Sequence, residues 1–367
     1  MKRILLGVAA AILVAVPVVL ACNIPVFRYA LERWEPDSYE YTIFTRGKLT
    51  PDQEKNVAEL ASPYGDKGPF PNLRGRVCDV DGKLDKDMTA LWAVQKDAPL
   101  PWLVLRYPGR ENGDEQRTAW TGAFTEENVR RIVDSPARRE VARRILAGES
   151  AVWVMLESGD RKRDDAAVKI LEGSLVGMTR NIRLPEEEEL EGVDMPRSKI
   201  PLKIAFSTVR LSAADPNEAV FRAMILKSSQ DPLPDGEPVA IPVVGRGRAL
   251  FPLAGSGINP ESIEGACSFA AGPCSCQVKD MNPGVDLIMA VDWAGAVGGD
   301  LTPTEAMPAL RGFSEFMPAS PAPATPAAAP PAPAAGISFS FGLVVVAGVI
   351  LVVVAVVTIL IISKRGQ

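Results

Sequence analysis

Hydrophobic positions fall into three patterns along the 367 residues. Two runs, at 4–21 and 341–362, are uncharged and apolar throughout. Between them, short stretches either alternate with polar residues or repeat at helical spacing. "YEYTIFTR" (39–46) alternates and is rich in aromatic and β-branched residues, which predicts a strand. Thr50-Pro51-Asp52-Gln53 supplies an N-cap, a proline at the first helical position and a glutamine three residues after the cap. A helix to about Ala61 follows from it. "RVCDVD" (76–81) reads as a short strand, 85–96 as a helix, and "LPWLVLRYP" (100–108) as a buried strand entered through Pro101. "RTAWT" (117–121) is another strand. Thr125 and Ser135-Pro136 cap helices that end near Val133 and Leu146. The order is β-α-β-α-β-β-α.

The second half repeats the plan. "SAVWVMLE" (150–157) is a strongly apolar strand, and a helix is expected near 164–173. After the acidic block "PEEEELE" (185–191), read as a solvated linker, "LKIAFSTVRL" (202–211) is a strand and Asp215-Pro216 starts a helix to about Ser228. "PVAIPVVG" and "RALFPL" form a hairpin across Gly245-Arg246-Gly247, and Asn259-Pro260 caps a helix running into Cys267. Asn282–Gly284 is a turn into "VDLIMAVDW", the expected last strand. Both halves therefore give strand, Gly-Arg turn, strand, glycine and capped helix. The fold class expected is α/β, as two tandem domains at 22–148 and 149–312.

The two apolar runs decide where that folded part sits. Lys2 and Arg3 precede the first run, and small Ala21 precedes Cys22, the layout of a secretory signal at 1–21. Val19 and Ala21 suit cleavage before Cys22, and "VLAC" resembles a bacterial lipobox, which makes Cys22 the lipidation candidate. An uncleaved anchor is the alternative. The second run matches the roughly 20 residues a helix needs to cross hydrocarbon, giving a transmembrane helix at 339–363. Lys364 and Arg365 in the stub at 364–367 place that end in the cytoplasm. The ectodomain then lies outside the cytoplasm on a single-pass tether. A Pro/Ala-rich linker at 313–338 forms an extended, semi-rigid spacer before the span.

Composition removes whole classes of chemistry. The net charge of -5 lacks the basic footprint of a nucleic-acid partner. There is no histidine, so neither a Ser-His-Asp nor a Cys-His relay can be built, and the commonest zinc ligand is missing. No phosphate loop occurs, and "VVGRGRAL" lacks the third glycine of a dinucleotide fingerprint. No cofactor is implied. Arg246 and Arg248 on the hairpin turn are read either as an anion grip or as solvated turn residues.

The cysteines hold what chemistry remains. Cys267, Cys274 and Cys276 are spaced C-x6-C-x-C, and Cys78 lies in a predicted strand. Outside the cytoplasm thiols tend to oxidise. One reading is a staple from Cys267 to Cys274 or Cys276 across Gly272-Pro273. A second is a reducible pair at Cys274 and Cys276, with Lys279 favouring the thiolate. A third is Cu(I) held by the three thiolates. Cys78 is read as buried, either a small hydrophobe or a disulfide partner.

The order β-α-β-α-β-β-α, with proline at the mouth of the third strand, resembles a thioredoxin-like domain. That family carries a C-x-x-C at the start of its first helix. Here the equivalent places read "GKLTPDQ" and "ESGDRKRDD", so the resemblance implies the fold without the dithiol activity. The opening "CNIPVFRYALERW", with "GRGRAL" and "CSCQVKDMNPGVDL", resembles uncharacterised membrane-anchored proteins of planctomycete-type bacteria. That likeness implies no activity. Ile24, Val26, Phe27, Tyr29, Ala30 and Trp34 are apolar enough to dock on the domain body. Without a complete catalytic constellation, the sequence points away from an enzyme. It favours a membrane-tethered binding or assembly module whose partner is another envelope protein, with thiol-disulfide or copper handling as the alternative.

Overall fold

The segment after Cys22 forms a helix at Val26–Arg33 that lies beside the chain at Gly272, Pro273 and Cys274. In a computed structural model, residues 24–62, 71–95, 97–109, 117–184, 198–229, 232–274, 279 and 282–298 are described. Helix α1 (Val26–Arg33) buries nearly every side chain. Pro25 bridges Pro273 in antiparallel sense, Val26 N donates to Gly272 O at 2.9 Å, and Cys274 N donates to Ile24 O at 2.9 Å. Arg28 and Glu32, one turn apart, form an ion pair at 2.7 Å with both side chains 1% exposed. Arg28 also donates to the carbonyls of Ile200 and Ser198, and Glu32 accepts from Ser198 N. Those extra bonds are what make two buried charges tolerable. Gly245 lies against the same helix with φ of +57°. A Cβ there would meet Ala30 Cβ at 2.5 Å, so only glycine lets the backbones approach this closely.

The first sheet has strand order β2-β1-β3-β4, from β1 (Tyr39–Thr45), β2 (Leu73–Asp79), β3 (Trp102–Arg106) and β4 (Thr118–Ala123). β1 runs parallel to β2 and antiparallel to β3, and β3 is antiparallel to β4. The Leu100–Pro101 peptide ahead of β3 is cis. Helix α2 (Pro51–Ala61) starts in the expected capping box of Thr50 and Gln53. It and α4 (Glu126–Val133) cover one face, where Tyr39, Ile43, Leu60, Leu105 and Val129 meet. Helix α3 (Lys86–Ala93) covers part of the other, with Trp92 against Phe44 at 5.0 Å between centroids. Helix α5 (Pro136–Leu146), capped by Ser135, leads into the second half.

The second sheet follows the same path, with order β10-β8-β7-β5-β6. Its strands are β5 (Ala151–Leu156), β6 (Phe206–Leu211), β7 (Val239–Val244), β8 (Arg248–Ala249) and β10 (Val285–Asp286), with β9 (Leu253–Ala254) paired to β7. β5 is parallel to β6 and antiparallel to β7. Every residue of β5 is buried because both faces are covered. Trp153 and Met155 meet α6 (Arg161–Asn181) and α8 (Pro260–Ala271), while Val152, Val154 and Leu156 face the other cluster. Helix α7 (Ala219–Leu226) follows a 3-10 turn at Pro216–Glu218.

Two elements differ from expectation. α6 runs 21 residues, capped by Asp160, and does not stop at Gly173. Gly173 and Gly177 face open space, while Leu171, Leu175 and Met178 keep the buried stripe going past them. The segment from Val285 pairs as a strand only at Val285–Asp286. Beyond it, Leu287, Ile288 and Met289 are buried between the halves without a ladder, held by Leu287 N to Gly247 O and Met289 N to Asn72 Oδ1. A short helix, α9 (Trp293–Val297), closes the described chain.

The protein is thus a mixed α/β structure with two sheets. One buried cluster contains Tyr39 and Ile132 from the first half with Val154, Ile241 and Ile288 from the second. Arg138 reinforces it. Fully buried, it donates to Ile132 O and Ile288 O at 2.9 and 3.0 Å, and burial lowers its guanidinium to about 10. The expected export signal at 1–21, Cys22, the acidic block, Cys276, the Pro/Ala-rich stretch and the expected transmembrane span at 339–363 lie outside the described residues. Among the described residues no helix is long and apolar enough to cross a membrane.

Candidate functional site

Among the described residues Cys267 and Cys274 are buried and Cys78 is half-buried. Cys78 is on the edge strand β2, half-buried, with its thiol pushed up by burial. Cys267, on α8, is 1% exposed beneath Trp153, and burial pushes its thiol up to about 12. That is the opposite of what a nucleophilic thiolate needs. Cys78 and Cys267 are free thiols, and Cys276, one of the two partners read for a staple across Gly272-Pro273, lies outside the described residues. Cys274 is 1% exposed among Ile24, Val26, Phe27 and Ala270. Among the described residues no group of His, Cys, Asp or Glu has metal-holding geometry.

The basic residues near those cysteines have other duties. Lys279 Nζ reaches Asp37 Oδ1 and Asp286 Oδ2 at 2.6 Å each, so its charge serves two carboxylates. Burial, the largest cause, raises the Asp37 carboxyl, with Lys279 acting against it. Arg246 and Arg248 are neither solvated nor open to an anion. Arg246 donates to Leu31 O and Glu32 O at the end of α1 and pairs with Glu35. Arg248 pairs with Asp286 at 3.2 Å, donates to Pro283 O and Asn282 O, and lies over the Trp34 ring. Hairpin arginines became buried because α1 and the chain after Lys279 close over the turn, which local spacing could not show.

An open groove lies elsewhere, where the C-terminal end of β5 meets the start of β4 and the end of α7. Its volume is about 490 Å³. Leu156, Leu226, Pro232 and Leu233 give it apolar walls, and Arg117, Arg222, Lys227 and Asp235 give it charge. Asp164 shapes the floor loop by accepting from Ser158 N and Oγ at 2.8 Å and from Gly159 N at 3.1 Å. Arg117 donates to the carbonyls of Lys227 and Ser228 at 3.2 and 3.1 Å, covering the negative end of α7, and lies 5.2 Å from the Tyr107 ring centroid. The Tyr107 hydroxyl donates to Met224 O. Arg222 donates to Leu211 O and Glu157 O, and burial lowers its guanidinium, with Glu157 and Asp164 opposing. The groove's acids Glu157 and Glu237 are paired with Arg210 and Arg163 at 2.7 and 3.1 Å.

Sequence reading singled out none of these groove residues. They come from separate segments, and only the signal of Pro232-Leu233-Pro234, a stiff stretch of loop, was local. No family model matches the chain, and no curated protein is significantly similar to it.

Proposed function

We propose that this chain is a non-enzymatic binding or assembly module of the cell envelope, tethered by its C-terminal apolar span with the folded part outside the cytoplasm. The two halves, each with strand order that puts a parallel pair beside an antiparallel pair, are thioredoxin-like domains lacking C-x-x-C. The observation that carries the reading is the seam groove: it is open, charged and built from both halves, while Cys267 and Cys274 are sealed in the core. The absence of histidine from the whole sequence removes the usual proton-relay side chain from that groove. The partner is another envelope protein rather than nucleic acid.

The alternative, thiol-disulfide or Cu(I) handling through Cys274 and Cys276, requires Cys274 to leave its buried position. Titration of thiols in the purified full-length protein, with and without mild reductant and followed by mass mapping, separates the two. The binding reading expects Cys267 and Cys274 to stay unreactive until denaturant is added. Reversible cycling of Cys274 with Cys276 in the folded protein replaces it with the alternative.

A further inference from the structure

We propose that Lys279 and Asp37 become joined by an intramolecular amide bond, with Asp286 as the group that takes the proton from the lysine. The cross-link is a self-catalysed modification, independent of what the protein binds. It ties the connector between α1 and β1 to the chain ahead of β10.

Geometry is the first argument. Lys279 Nζ lies 2.6 Å from Asp37 Oδ1 and 2.6 Å from Asp286 Oδ2, and Glu35 O is its third acceptor. The Lys279 and Asp286 side chains are only 13% and 5% exposed, so little water competes for the amine. A nitrogen in such contact with a carboxyl oxygen is about 3–3.5 Å from the carboxyl carbon, the range of a near-attack pair. Asp286 is also held by Arg248 Nη1 at 3.2 Å and by Asp37 N at 2.7 Å, which fixes both carboxyls around the amine. Residue type is the second argument. Among the described residues every other ion pair is made by an arginine. A guanidinium keeps its proton, whereas a lysine amine that loses one is a nucleophile. The lysine stands where two carboxyls converge.

The two carboxyls take different parts. Burial, the largest cause, and the neighbouring Asp286 raise the Asp37 carboxyl against the pull of Lys279. That favours the neutral acid, which is the better electrophile. Asp286, ion-paired with Arg248, accepts a proton from the ammonium. The freed Nζ lone pair attacks Asp37 Cγ. A C–N bond forms, the C–OH bond of Asp37 breaks, and the hydroxyl leaves as water with a second proton from nitrogen. The third proton stays on the amide, and the one on Asp286 passes to solvent. The balance needs no oxidant or other co-reactant. The amide closes a loop that runs through both sheets, so it constrains the unfolded chain as a covalent bridge does.

The test is a tryptic mass map of the purified full-length protein, denatured before digestion. The expected product joins residues 34–46 to residues 249–311, one water lighter than the two peptides together and uncut after Lys279. Fragmentation should place the amide between Asp37 and Lys279. Lys279→Arg keeps the charge and cannot form this bond. Asp286→Asn removes the proton acceptor and leaves both joined groups in place. Each variant should take the joined peptide from the main species to undetectable, with an unchanged circular dichroism spectrum verifying the fold. Cleavage after Lys279 beside a free 34–46 peptide in the parent protein overturns the inference and leaves an ion pair. Loss of water within 249–311 alone puts the bond at Asp286 and overturns Asp37 as the partner. A joined peptide that survives Asp286→Asn overturns the part given to Asp286. The thiol mapping above reads different residues, so neither result decides the other.

Discussion

Arg117 and Ser228 join the two halves of the protein: the guanidinium at the start of β4 donates to the carbonyl just beyond α7 at 3.1 Å. The same side chain reaches Lys227 O and Ser229 O. One residue of the first sheet thus closes the helix end of the second and forms one side of the groove. Arg117→Gln removes the fork geometry and should lower Tm by a few degrees, as loss of charge-assisted bonds does. Thermal unfolding of the variant beside the parent protein checks it.

The Arg28–Glu32 pair is a sharper test of the buried network. Removing one partner strands the other charge at 1% exposure. Glu32→Ala should cost about 3–5 kcal/mol in denaturant unfolding, whereas the double replacement Arg28→Met with Glu32→Leu should cost less than Glu32→Ala alone. A double variant as unstable as the sum of the singles would contradict this.

Gly245 tests the docking of α1. With φ of +57° and Ala30 2.5 Å from its missing Cβ, Gly245→Val should destabilise by about 2–4 kcal/mol. Limited proteolysis should then cut within α1 before it cuts elsewhere. Cleavage elsewhere first would show that the helix is not held at this contact.

The Cys267 thiol gives a pH signature. It rises from an ordinary 9.0 to about 12, so the folded state holds this proton more tightly than the unfolded state. Its contribution to stability is complete below about pH 9 and is lost as pH climbs toward 12. Tyr39 and Tyr107 are raised in the same direction and share the alkaline range. Cys267→Ser should therefore flatten, without abolishing, the fall in stability across that window. An unchanged slope in denaturant melts would refute the assignment.

Much of the chain's local order is legible from residue patterns. The Thr50–Gln53 capping box, the Ser135-Pro136 and Asn259-Pro260 helix starts and the fully apolar β5 all rest on neighbours a few residues apart. Apolar spacing also anticipates that residues 24–34 dock on the fold. It does not anticipate that Arg28 and Glu32 go inside with them, because their partners at Ser198 and Ile200 lie about half the chain away. Arg246, Arg248 and Lys279 mislead for the same reason: their carbonyl and carboxylate partners are supplied by distant segments. The groove is the extreme case, since Arg117, Arg222 and Asp235 share no motif and become neighbours only when the halves pack.

The account depends on the groove facing the far side of the bilayer. The direct measurement is labelling of a Lys227→Cys variant with a membrane-impermeant maleimide in spheroplasts, before and after lysis. The account predicts full labelling of that position before lysis. Labelling that appears only after lysis would put the groove in the cytoplasm and contradict it.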